Sequence, residues 1–377
     1  QDPANLGSEV IRYPDWRAIK TRFVFFGTVE NDDGKIVITF ELHDVIRGAK
    51  MLSLTLKGDE AKSRRMAHMV ADALYNAVTA EEGFFNTQIA YVEPTNEKGF
   101  KQNTCIKIMD SDGYKESIVQ LTDGKNLVLT PRYSPDGKSL AYLKIDKNKG
   151  AVYILNLQTK NTRLMGNYEG LNFAPKYSPD GKKMVFSISK GETTAIYQLD
   201  LTSHVTNMLT QHDSIDTSPG YSPDGSKIVF VSDRDGKAQL YTMNEDGSDQ
   251  KRISFGKGSY TQPSWSPRGD LIAFTRVTGG QFYIGVMQPD GSDERLIAGG
   301  YMIEEPVWTS NGRYLIFTVQ ENAKSNRYLM RMDLTGHSLY RIKTTKDAFS
   351  PSVSPLLGSA IGSRPSACDI PAQSATQ

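Results

Sequence analysis

Cysteine is almost missing from this chain. Its two residues, Cys105 and Cys368, stand far apart with no C-x-x-C spacing, so a zinc knot or a dithiol redox centre is excluded and two unrelated thiols are the simpler reading. An excess of either charge is missing too: 44 Lys and Arg against 43 Asp and Glu, mixed along the whole length, leave no basic segment to track a phosphate backbone. Nucleic acid is therefore not an expected partner. No apolar run approaches the roughly 18 to 20 residues that a spanning helix requires, so the chain is read as not membrane-spanning. The start at Gln1, with neither a positive n-region nor an apolar h-region, fits a mature secreted protein or a truncated one.

Catalytic signatures are also lacking. The five histidines are His43, His68, His204, His212 and His337. His68 and Asp72 stand one helical turn apart, but His-Met-Val-Ala-Asp is not H-E-x-x-H, and a polar helix face is the better reading. There is no G-x-S-x-G with an α/β-hydrolase domain, no P-loop and no dinucleotide fingerprint. No catalytic residue, metal site or cofactor is expected, and the chain is read as a non-enzyme.

What the chain has in abundance is a repeat. Pro131-Arg-Tyr-Ser-Pro-Asp-Gly137 recurs as Pro175-Lys-Tyr-Ser-Pro-Asp-Gly181 and Pro219-Gly-Tyr-Ser-Pro-Asp-Gly225, then degrades through Pro263, Pro306 and Pro351 at about 44-residue intervals. That period belongs to a four-stranded propeller blade. Ser-Pro-Asp-Gly supplies a type I turn, with fixed φ at Pro and tolerance of positive φ at Gly. Each turn is followed by a short apolar run, such as Met184-Val-Phe-Ser187 or Ile228-Val-Phe-Val231, which reads as a buried second strand. The repeat differs from the sialidase Asp box, and no Gly-His or Trp-Asp pair marks a WD40 blade.

The ends of the array are out of phase. Ile89-Ala-Tyr-Val92 is a second strand with no Pro-x-x-Ser segment before it, and Pro351-Ser-Val-Ser-Pro355 is such a segment with no second strand after it. Together they complete one blade and close a ring of six without an exposed edge. The expected fold is an all-β six-bladed β-propeller, closed by pairing N- and C-terminal strands, behind a smaller N-terminal α/β domain. Proline is expected to open each inner strand, and the aromatics Tyr133, Tyr177, Tyr221, Trp265 and Trp308 to pack between sheets rather than form a stacking ring.

Ahead of the array, Thr21 to Val29 and Lys35 to Asp44 flank the hairpin signal Asn31-Asp-Asp-Gly34, and Lys50 to Lys57 alternates as a third strand. Ser63 to Val78 reads as an amphipathic helix with Met66, Val70, Ala73, Leu74 and Ala77 on one face. The expected divisions are an N-terminal domain at 1–87, a propeller at 88–357 and a disordered tail at 358–377.

The helix with Ala67-His68 and Ala71-Asp72, the run Phe84-Phe-Asn-Thr-Gln-Ile-Ala-Tyr-Val92 and the Pro-x-[Tyr/Trp]-Ser-Pro-Asp-Gly repeats, in that order, resemble the TolB family of the bacterial Tol-Pal envelope system. Phe26-Gly-Thr-Val29 and Phe40-Glu-Leu-His-Asp44 extend the resemblance upstream. It implies a monomeric periplasmic hub that binds the lipoprotein Pal at one channel mouth, a mouth that bacteriocins also exploit, and that supports outer-membrane integrity and cell division. The family's N-terminal segment engages TolA; here a short polar leader precedes Trp16 where the family carries a further strand and helix, which leaves TolA, like other envelope proteins, an open partner.

In that family the loops entering the inner strands line the mouth. The equivalent residues here are Leu129 and Thr130, Phe173 and Ala174, Thr217 and Ser218, Thr261 and Gln262, Glu304 and Glu305, and Phe349 and Ser350. Their mixed character suits a protein interface. The alternatives are a carbohydrate-active propeller of the oligogalacturonate lyase type, for which Glu304, Glu305 and Asp216 are the acidic hint, and a small-ligand sensor with a plugged channel.

Overall fold

The computed structural model describes residues 11–95, 103–114, 119–123, 125–146, 149–167, 171–344 and 346–358, with the backbone alone at 146, 149, 167 and 171–174. Cys368 lies outside the described residues, as does the expected disorder beyond 358; Cys105 is a buried free thiol. Among the described residues no helix is long and apolar enough to cross a membrane. The chain divides into two compact units, 1–86 with 356–377, and 87–355.

The first unit opens with a short helix α1 (Tyr13–Ala18), absent from the sequence expectation because six residues carry too little periodicity; Pro14 in its first turn supplies a helical φ. Strands β1 (Phe23–Asp32), β2 (Lys35–Asp44) and β3 (Ala49–Asp59) form an antiparallel meander in the order β1-β2-β3. The β1–β2 turn is tighter than the four-residue signal: Asp33 and Gly34 both take positive φ, 50° and 79°, as a two-residue hairpin loop that matches strand twist requires. Helix α2 (Ser63–Thr79) presents Met66, Val70 and Ala73 as its buried apolar face, with Val70 and Ala73 packed beside Phe40, Leu52 and Leu54.

One residue of α2 departs from expectation. Asp72 is no part of a solvated face; it is buried and accepts the backbone N–H groups of Phe85, at 2.8 Å, and Asn86, at 3.0 Å. Burial pushes its carboxyl above the usual aspartate range, and those two bonds act in the opposite sense. Gly83 is required beside it, since an added Cβ would stand 2.1 Å from Asp72 Oδ1 and 2.7 Å from its Cα. The end of the chain joins this unit: Leu357 donates its N–H to Asn86 O at 2.9 Å, and Asn86 Nδ2 donates to Gly358 O at 3.0 Å. Residues 356 and 357 thus group with the first unit rather than with the array.

The second unit is a six-bladed β-propeller of four-stranded antiparallel sheets. Blades 1 to 5 begin with the inner strands Leu127–Tyr133, Leu171–Tyr177, Asp216–Tyr221, Ser259–Trp265 and Met302–Trp308 and run outward in chain order. Blade 6 takes its inner strand, Phe349–Val353, from the C-terminal side and its other three, starting with Gln88–Pro94, from the N-terminal side. Phe349 faces Val92, Ser352 faces Ala90 and Val353 faces Ile89, so the two orphan segments do pair.

Six apolar clusters fill the six blade-to-blade interfaces. Leu143 meets Phe186 between blades 1 and 2, and the series runs round to Ile106 with Leu140 between blades 6 and 1. Because every second strand is covered on both faces, these strands read as continuous apolar runs instead of alternating. Tyr133, Tyr221 and Trp308 belong to the clusters, and Tyr177 and Trp265 pack against them, which accounts for the repeat aromatic without any ligand. At the three Ser-Pro-Asp-Gly corners the Ser and Asp of the motif bond to each other: in the first, Ser134 Oγ donates to Asp136 Oδ1 at 2.6 Å, and Gly137 N donates to Ser134 O at 2.9 Å.

Candidate protein-binding mouth and channel

The repeat prolines do not open the inner strands. Pro131 is the fifth residue of Leu127–Tyr133, and a β-bulge explains how a residue without an N–H is tolerated there. Leu129 faces Leu143 and Arg132 faces Ala141, so Thr130 and Pro131 together oppose the single residue Tyr142. The same two-against-one slip recurs in all six blades, opposite Phe186, Phe230, Phe274, Phe317 and Tyr91 in the others. The expected mouth residues therefore lie within the inner strands at these bulges, not on the loops that enter them.

The second residue of each pair carries the strain. Thr130, Ser218, Gln262, Glu305 and Ser350 adopt φ between 51° and 57°, a left-handed conformation that costs a non-glycine residue about 1–2 kcal/mol. Such strain, repeated at one register round a ring, re-aims five side chains at the place where the bulges converge. The counterpart Ala174, and Phe173 before it, have only their backbone described.

Blades 4 to 6 bring several of these residues together. Gln262 Oε1 accepts the Glu305 N–H at 3.0 Å and the Thr275 hydroxyl at 2.9 Å, while Ser350 Oγ donates to Glu305 Oε1 at 3.1 Å. Burial, then the charge of Glu305, pushes the Glu304 carboxyl up. Phe349 lies beneath the Arg327 guanidinium, 3.7 Å from ring centroid to Cζ, and Asp347 holds that guanidinium through two bonds. Leu129 packs into the cluster between blades 1 and 2, Thr217 is buried, and Thr261 and Ser218 are half-buried. Thr130 Oγ1 is buried without a hydrogen-bond partner. Asp216 is engaged away from the Glu304–Glu305 pair: it receives Arg234 at 3.1 Å and the Ser214 hydroxyl at 2.9 Å.

Two cations went unnoticed in the sequence. The residue after each proline occupies one register, held by Arg132, Lys176, Gly220, Ser264, Val307 and Ser352. Arg132 Nη1 donates to Pro351 O of blade 6 at 3.3 Å, and Lys176 Nζ donates to Pro263 O of blade 4 at 3.0 Å. The second bond skips blade 3, which it can do only across the axial channel. Gly220 leaves the room, since a Cβ there would stand 3.2 Å from Lys176 Nζ. Burial lowers Lys176 to about 7, the charge of Arg132 adds to that, and Glu305 opposes it.

Exposed apolar side chains precede three inner strands: Ile215 is 46% exposed, Phe255 72% and Tyr301 50%. They stand on the loops between consecutive blades: Ile215 and Tyr301 directly precede their inner strands, and Phe255 lies nearer the outer strand of blade 3, with the Arg252 guanidinium 5.2 Å over its ring. An apolar residue in an otherwise polar interblade loop was the available signal. Beside Phe255, residues 256–259, Lys257 among them, line an open cleft of about 800 Å³ with Lys237 and Arg252.

Comparison with known proteins bears on what this mouth serves. The family model "TolB beta propeller domain" matches residues 75–357. The chain belongs to the TolB family. A second model, the TolB amino-terminal domain, matches residues 1–51. Among curated TolB relatives, the Tol-Pal system protein TolB of Paramagnetospirillum magneticum is 46% identical over 163 residues, 43% of this chain and 36% of its own length. That of Pelagibacter ubique is 43% identical over 173 residues, 46% of this chain and 37% of its own. Each alignment thus spans little more than a third of the relative. The crystal structure of TolB from Acinetobacter baumannii matches with a TM-score of 0.85 at 27% identity, covering 94% of this chain and 89% of that one.

Proposed function

We propose that this chain is a non-catalytic, periplasmic hub of the Tol-Pal system that binds the lipoprotein Pal at the channel mouth, and so supports outer-membrane integrity and cell division. Membership of the TolB family and the names of its curated relatives support a role in that system. The observation that carries the binding reading is the ring of bulges, which repeats strained, polar side chains at one register, with exposed apolar residues on the loops ahead of three inner strands. Protein interfaces are enriched in aromatic residues, so the exposed Phe255 and Tyr301 are the contacts expected to contribute most to binding. The interblade-loop residue Phe255, being mostly exposed, contributes to contact with the partner and little to folding.

Calorimetric titration of the purified chain with Pal tests the proposal. A saturable complex is expected, and Phe255→Ala is expected to weaken it about tenfold while leaving the unfolding midpoint within about 2 °C. Absence of any complex with Pal, together with cleavage of uronate oligomers, would replace binding by catalysis.

A further inference from the structure

Arg132 and Lys176 put two cations into one channel that offers them a single interacting carboxylate. Glu305 acts on both, but it already accepts the Ser350 hydroxyl. Arg132 Nη1 is satisfied by two backbone carbonyls, at 2.8 and 3.3 Å, whereas its Nε is buried with no partner. Among the described residues Lys176, with three N–H donors, has one acceptor, the Pro263 carbonyl. A buried guanidinium N–H with an unmade bond is costly, and one more negative oxygen would satisfy it and offset the repulsion between the two cations. Gly220, without a side chain, lies beside the Lys176 ammonium, and the Thr130 hydroxyl, two residues before Arg132, is buried and unpaired, an additional donor on the same strand.

We propose that the axial channel is an anion site, in which Arg132 and Lys176 together hold one carboxylate or comparably small oxyanion. The anion arrives either as a free solute or on an acidic side chain that a partner inserts through the mouth. The second route rests on the Pal-binding reading; the first does not. Either way the site ties channel and mouth together, because Glu305 belongs to both.

The experiment has three arms. Crystals soaked in sodium bromide are expected to show an anomalous peak within hydrogen-bonding reach of Arg132 and Lys176. Sodium acetate and inorganic phosphate, titrated at constant ionic strength, are expected to raise the unfolding midpoint of the unsubstituted chain, with the response lost in Lys176→Met and Arg132→Gln and retained in Arg132→Lys, whose charge persists should the neutral variant fold poorly. A midpoint that ignores free anions, alongside a tenfold or greater loss of Pal affinity in Lys176→Met, assigns the anion to the partner and supports the proposal by the second route. A bromide peak with no response in either titration is an adventitious ion only and overturns it, as does the absence of a peak with Pal affinity unchanged. Since the first two arms contain no Pal, failure of the unsubstituted chain to bind Pal defeats the functional reading without touching this one.

Discussion

Phe349 stands opposite Val92 in the sheet that closes the ring, although the two residues lie at opposite ends of the propeller sequence. Around that pair the seam is secured again by Ser354 N, which donates to Gln88 O at 2.8 Å, and by Tyr133 N, which donates to Ser352 Oγ at 3.2 Å from the next blade. One short strand thus holds both its own blade and the first.

Removing that strand opens the ring. A chain ending at Lys346 exposes Ile89 and Tyr91 along the bared edge and uncovers Ile316 of blade 5, all of them fully buried in the closed form. Loss of such a strand is expected to cost about 3–5 kcal/mol, roughly a 10 °C fall in unfolding midpoint, and to leave a species prone to edge-to-edge association. Calorimetry and size-exclusion chromatography of the shortened chain check this; an unchanged midpoint would mean that the seam contributes nothing.

Thr130 combines a β-branched side chain, a left-handed backbone and a proline after it, with its hydroxyl buried and unpaired. Thr130→Gly is therefore expected to stabilise the chain by about 1 kcal/mol, because relief of strain exceeds the added flexibility of the unfolded state. The same substitution is expected to weaken Pal binding several-fold, as strain kept at a functional surface implies. Guanidinium denaturation and a Pal titration on one preparation read both effects; destabilisation by glycine would show that the conformation is unstrained.

Lys176 makes stability depend on pH in a definite direction. Burial brings its folded value down to about 7 from an ordinary 10.5, so between those values the unfolded chain holds a proton that the folded chain lacks. The contribution of this group to stability then rises with pH across that window, and its cost is fully present below about pH 7. The charged groups acting on it are Arg132 and Glu305. Lys176→Met is expected to stabilise the chain by on the order of 1–3 kcal/mol at pH 6, with the advantage shrinking as pH approaches 10. Denaturation midpoints at pH 6, 8 and 9.5 decide it, and an advantage that does not change with pH would reject this account.

How much of this was legible in advance depends on the range of the interaction. The blade repeat, its Ser-Pro-Asp-Gly corners and the helix from Ser63 were readable because each is set by residues within a few positions of one another. The phase mismatch between Ile89 to Val92 and Pro351 to Pro355 even disclosed the closure. The bulges were not read, although their signature was present: an aromatic at the third position of each second strand, opposite a residue and a proline. Asp72 was misplaced because helical periodicity assigns a face but cannot say that a later loop, at Phe85 and Asn86, will present two N–H groups to it.

The amino-acid sequence by itself determined the number of blades, the corner turns and the pairing of the two chain ends, since period and turn chemistry are local and are repeated six times. Only the tertiary structure decided which residues share the channel. Arg132, Lys176 and Glu305 come from three different blades, the first two just after the repeat proline and the third just before it, and their charges meet because a closed ring turns the bulged part of every inner strand toward a common axis. Sequence separation carries no trace of that convergence; it is a property of the circle.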